Sequence, residues 1–169
     1  MRVKIDTKIL ETMLFIWASL SDREKIADTF LIELANDPNM AAQYDENFNA
    51  DSVRKVLSAI SNRERMNNPT KKESRFWNNN MWMMEDPLFP ESMLRPVKTL
   101  SPTAFEGEGD KEVNLVFYPG TTETYFIKGN TLFINFFTIR ANAFDENAPA
   151  TIEDLEVDEF IKQKLAEIE

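Results

Sequence analysis

Trp82 ends a short string, Trp77-Asn-Asn-Asn-Met-Trp82, that sets a large aromatic side chain among amides. If the stretch is helical, a 100° step places Lys71, Arg75, Asn78, Asn79 and Trp82 on one arc. Phe76, Trp77, Met81 and Met84 fall on the other, which is the expected core side. The chemistry offered by the first arc is recognition rather than bond-making. An indole covers a large apolar area and carries one N–H donor, and amides and guanidinium groups add directional hydrogen bonds. Residues of these types dominate contacts between proteins. They suit stacking on a base or a sugar equally well. Leu88 and Phe89 follow closely enough to fold back over Trp82, which would make the indole a core residue instead.

A second candidate surface is basic. Residues 51–75 hold seven Lys or Arg against three Asp or Glu, in a chain whose net charge is −10. Arg54, Ser58, Ser61, Asn62 and Arg65 share the polar side of an amphipathic segment, and all are types that reach base edges. A polar, basic helix with a hairpin later in the chain is reminiscent of a winged helix-turn-helix reader. Against that reading, the hairpin here is apolar and far downstream, so a solvated helix face with a local positive bias is the simpler account.

Bond-making chemistry finds little support. The chain has no His and no Cys, which removes the commonest general base, thiol nucleophiles and thiolate metal sites. Twenty-nine Asp and Glu residues guarantee carboxylate pairs by chance, so their number carries no weight. No G-x-S-x-G, S-x-x-K, phosphate-binding glycine loop or calcium-loop pattern is present. Glu106-Gly-Glu-Gly-Asp110 resembles a calcium loop only superficially and reads as a solvated turn. No catalytic residue, cofactor or metal ligand is therefore expected.

Composition narrows the class further. Hydrophobic content of 43% with 13 Phe argues for a packed core. The acidic balance argues against non-specific attraction to nucleic acid or anionic lipid. No run approaches the roughly 18 apolar residues of a membrane span, and the start lacks the clean apolar region of a signal peptide. The expectation is a cytoplasmic, acidic protein in a single domain over residues 1–169.

The elements that must position these side chains follow from periodicity and punctuation. Residues 9–20 are apolar at helical spacing, after Asp6 or Thr7 as N-cap. Ser21-Asp-Arg-Glu24 reads as a capping box that opens a second helix, ended by Asn36-Asp37-Pro38. A short helical turn is expected over 38–44. Val53, Val56, Leu57 and Ile60 mark a third long helix over 49–65. Thr70-Lys-Lys-Glu73 is a second capping box, opening a helix through about Met84. Residues 85–110 hold four of the eight prolines and read as a surface crossing, with at most an edge strand over 93–100. Residues 111–118 form a strand. Two runs rich in β-formers then flank Gly129-Asn130, the signature of a II′ hairpin pairing Lys128 with Thr131. Thr151-Ile-Glu-Asp154 reads as the cap of a closing helix, residues 152–168, buried through Val157, Phe160, Ile161, Leu165 and Ile168.

The fold class expected is α+β: a helical part over 7–84, the proline-rich crossing, a small antiparallel sheet of about three strands over 111–140, and a C-terminal helix. The hairpin holds more aromatic surface than a half-solvated sheet needs, so helices or a second copy must cover it. The function expected is non-enzymatic binding of a protein partner, or self-association as a homodimer. Nucleic-acid binding through Arg54–Arg65 is the alternative, and no membrane partner is expected.

Overall fold

A computed structural model describes residues 1–168 of the chain. Its main sheet is mixed, with spatial order β1-β2-β4-β3. Strands β1 (Arg2–Asp6), β2 (Glu112–Tyr118) and β4 (Thr131–Asn135) run parallel, and β3 (Tyr125–Lys128) returns antiparallel beside β4. The hairpin has the register its turn dictates: Lys128 faces Thr131, Phe126 faces Phe133 and Tyr125 faces Ile134. Gly129 has φ +61 and Asn130 is not left-handed, as a II′ turn requires. The small antiparallel sheet expected from sequence is corrected to this mixed sheet. Strand β1 has only Val3 and Ile5 as apolar residues, and its partners Val113 and Leu115 lie far along the chain. No local pattern announces a strand that exists because a distant one completes its hydrogen bonds.

The helices are α1 (Lys8–Ser21), α2 (Asp28–Ala35), α3 (Pro38–Ala41), α4 (Ala50–Asn62), α5 (Lys71–Glu85), α6 (Leu88–Lys98) and α7 (Val157–Leu165). A second sheet pairs β5 (Thr151–Ile152) with β6 (Leu155–Glu156). By alternation, Val116, Tyr118, Phe126 and Phe133 share one face of the main sheet. Their rings form a cluster, with Phe126 stacked on Phe133 at 4.6 Å. The other face carries Leu115, Phe117, Leu132 and Ile134, and there Phe160 of α7 meets Tyr125 edge-on. The first face is approached by the α3 region, where Asn39 donates to Asp6 and Gln43 donates to the Pro119 carbonyl. Most of this aromatic surface is covered within the chain: Phe117, Phe133, Phe136 and Phe137 are buried, while Tyr125 and Phe126 on β3 are half-buried against the core. Buried apolar residues from Val3 to Ile168 form one continuous cluster. Among the described residues, no helix is long and apolar enough to cross a membrane.

Four local expectations are corrected. Ser21–Glu24 does not open a helix. It closes α1, with Arg23 left-handed, its N–H bonded to the Leu20 carbonyl and that of Glu24 to the Ser19 carbonyl. Residues 85–110 are not a bare crossing with an edge strand, because α6 runs through them. Pro90 sits in its first turn, where an N–H has no intrahelical acceptor anyway, and Pro96 forgoes one bond near its end. Pro90, Met93 and Val97 are its buried side, a helical spacing hidden by the proline count. The closing helix starts at Val157, not 152. Thr151–Glu156 is a hairpin turned at Glu153 and Asp154, with φ 50 and 68. Two left-handed acidic residues are an uncommon choice where Asn-Gly is usual, so no turn signal was visible. Finally, α4 ends at Asn62 and Arg63 is left-handed, which takes Arg65 off the helical face it was expected to share.

Candidate functional site

The capping box of α5 sets the phase of the helix and hence what faces the surface. Thr70 Oγ1 accepts from the Glu73 N–H at 3.1 Å, and Glu73 Oε1 accepts from the Thr70 N–H at 2.9 Å. Thr70 also donates to the Asn47 carbonyl, tying the helix start to the preceding loop. Glu73 is buried. Burial alone would raise its pKa, but the Thr70 N–H, the Ser52 hydroxyl and Lys55 at 3.6 Å together hold it below the usual carboxylate range. From that anchor the inward face runs through Phe76, Asn80 and Met83. Asn80 Oδ1 accepts from the Trp17 indole N–H at 2.8 Å, and its amide donates to the Phe76 carbonyl. The expected core arc is corrected accordingly: Phe76 is buried, Trp77 and Met84 are half-buried, and Met81 lies at the surface.

The outward arc behaves as its residue types suggest. Lys71, Arg75 and Asn78 are exposed, Asn79 is half-buried, and Trp82 is 55% exposed. Helix α6 approaches the indole without covering it. Phe89 meets the indole edge-on, with centroids 6.1 Å apart at 90°.

Asn79 joins this arc to the sheet by donating to the carbonyl of Gly120 at 3.3 Å. Gly120 and the residues after it form the loop that leaves β2, and Asn135 at the end of β4 holds that loop. The Asn135 side chain, fully buried, accepts from the N–H groups of Gly120 and Phe137 and donates to the carbonyls of Thr121 and Glu123. The carboxyl ends of the parallel strands β2 and β4 therefore open beside α5, which is where open sheets with parallel strands commonly place ligands.

Two clefts meet there. The first, of about 390 Å³, is polar, lined by Arg75, Asn79, Arg140, the three threonines Thr121, Thr122 and Thr124, and the Glu153-Asp154 turn. The second, of about 430 Å³, is apolar and bounded by Phe89, Met93, Ile139 and Phe144. Trp82 and Arg140 line both. Among the described residues, neither Arg75 nor Arg140 has a carboxylate within 4.0 Å. Arg140 spends one N–H on the Phe137 carbonyl at 3.1 Å. Among the described residues, no group of three or more acidic side chains is placed to hold a metal ion.

Of the recognition arc, the fold brings Arg75, Asn79 and Trp82 into this cleft. Lys71 lines a separate cleft with Asn47 and Lys72, and Asn78 lines neither of the two clefts at Trp82. The basic face of α4 stands apart: Arg54 lies 3.8 Å from Asp51, Asn62 bonds to Ser58, and Ser61 is half-buried. Sequence reasoning missed Arg140, Phe144 and the threonines. The only local hint was Thr121-Thr122-Glu-Thr124 directly after a strand and Pro119-Gly120. No model of a known protein family matches the chain, and neither a curated protein nor a solved structure matches it significantly.

Proposed function

We propose that this protein acts by binding a protein partner, and that the partner is gripped at the cleft around Trp82. The observation that carries the reading is the indole itself. It stands more than half exposed on a rigid helix, steadied on one edge by Phe89 and placed where a polar and an apolar cleft meet. A large aromatic side chain held in position before binding loses little conformational freedom on contact, and it buries much area there. Self-association gains no support from the hairpin, whose aromatic faces are filled by the chain's own residues.

The test is to capture partners from the native cell, purify each, and compare its affinity for the natural protein and for Trp82→Ala. Loss of about 2 kcal/mol or more is expected, the usual cost of losing such an anchor. Stability should fall by only about 1 kcal/mol, because the indole gives up one edge-to-face contact and partial burial. Equal affinities for both proteins, or a stability loss of about 3–5 kcal/mol that marks a core residue, would retire the reading.

A further inference from the structure

Resting on that reading, we infer that the partner presents a chain segment in which an Asp or Glu stands beside an aromatic or large aliphatic residue. The carboxylate would sit between Arg75 and Arg140, and the apolar side chain would lie against Trp82 in the half bounded by Phe89 and Phe144.

The charge pattern points to the anion. The chain is acidic overall, yet Arg75 and Arg140 line one cleft, and although Glu153 and Asp154 line it too, neither arginine has a carboxylate within 4.0 Å among the described residues. A guanidinium stays charged throughout the accessible pH range, and its planar fork matches both oxygens of a carboxylate. Thr121, Thr122 and Thr124 line the same cleft, and a hydroxyl is the kind of further donor that an anion needs once water leaves. Glu153 and Asp154, on an exposed turn, line the same cleft. Neither carboxylate comes within 4.0 Å of a guanidinium nitrogen, so both arginines keep N–H donors for a ligand, and the two acids would disfavour a segment with a second acid directly behind the first.

The geometry points to a chain segment rather than a small molecule. Small ligands are held in sites that remove most of their surface from water. Here the apolar half is walled by Trp82 at 55% exposure and Phe144 at 89%, so a small molecule would remain largely wet. A protein partner brings surrounding surface of its own to close the cleft. The shared lining by Trp82 and Arg140 sets the two halves side by side, which asks for an anion and an apolar group on neighbouring residues.

Random dodecapeptides displayed on phage and selected on the full chain provide the test, followed by anisotropy titrations of synthetic, labelled versions of the enriched peptides. Enrichment of an acid next to an aromatic or large aliphatic residue is expected. Arg75→Gln should weaken such a peptide about tenfold or more, as should changing the peptide's acid to its amide. Arg75→Lys should restore the affinity only in part, because an ammonium lacks the fork. Arg140→Gln should act similarly, and a urea midpoint close to that of the natural protein shows whether its bond to Phe137 was dispensable. Enriched peptides that need Trp82 but carry no acid, or that ignore the acid-to-amide change, would overturn the inference and leave the binding reading standing. Free glutamate or inorganic phosphate competing as well as the peptides would also overturn it, in favour of a small anion. Peptides indifferent to Trp82→Ala, or no enrichment at all, would sink both.

Discussion

Replacing Gly120 with alanine probes how the cleft wall is built. An ideal Cβ at this position would lie 2.5 Å from Asn135 Cγ, 2.6 Å from Asn135 Nδ2 and 2.8 Å from Tyr118 Cε2. Neither neighbour can retreat cheaply. Tyr118 is buried in the ring cluster with Phe126 and Phe133, and Asn135 is fully buried with four hydrogen bonds to backbone groups. Overpacking of this kind costs about 1–3 kcal/mol. If the amide shifts and gives up two of its four bonds, each adds about 1 kcal/mol. The expected loss is about 3–5 kcal/mol, or roughly 10 °C in Tm for a chain of this size. Urea titration followed by circular dichroism measures it. Gly107→Ala is the control, because an added Cβ there meets nothing within 4 Å, and it should stay within about 0.5 kcal/mol. If Gly120→Ala also melts within about 0.5 kcal/mol of the natural protein, the tight approach of loop and Asn135 is not what holds this wall.

Other positions yield sharper contrasts. Gly129→Val should cost about 1–2 kcal/mol although nothing crowds the site, since φ +61 resists a β-branched residue; coincident thermal melts would place the turn elsewhere. Glu73→Gln should cost about 1 kcal/mol at pH 7 and less at pH 3. The folded carboxyl has a lowered pKa, so its contribution is complete above the unfolded value of about 4.3 and disappears as pH falls through the folded one. Urea titrations at both pH values read the difference, and an equal loss at each would exclude the charge as its source. Asn80→Ala should cost about 1–3 kcal/mol by leaving the buried Trp17 N–H without an acceptor. In a Trp17→Phe background the same change should cost clearly less, and additive losses in that double-mutant cycle would show that the bond contributes nothing.

Much of the scaffold was legible in the chain because its causes are local. The Thr70–Glu73 box works within one helical turn, and it set the start of α5 in sequence and in space alike. Val53, Val56, Leu57 and Ile60 repeat at helical spacing, and α4 buries all four. Gly129 tolerates the backbone its turn demands, and that turn alone fixes the register of β3 on β4. The exposure of Trp82 was a choice between two outcomes that the sequence posed without deciding. It turned on where Phe89 came to rest, and that depended on residues 88–98 forming a helix through two prolines.

What tertiary structure decided is everything that depends on partners far apart along the chain. Strand β1 is too short and too polar to declare itself, and it exists because β2 completes its hydrogen bonds. Asn80 looked like one more polar residue in a run of three, yet it is buried because Trp17 needed an acceptor. Asn135 follows an apolar run in the chain, and in the fold it ties the loop after β2 to the end of β4. The cleft follows the same rule: Arg75 sits on a helix and Arg140 beyond a strand. The sequence alone placed Lys71, Arg75, Asn78 and Trp82 on the outward arc of α5, but it did not foresee Met81 at the surface or Asn80 inside. Only the folding of the loop after β2 and of the segment after β4 against α5 decided that three threonines and a second arginine would line the same cleft, because no short-range preference acts between residues so distant.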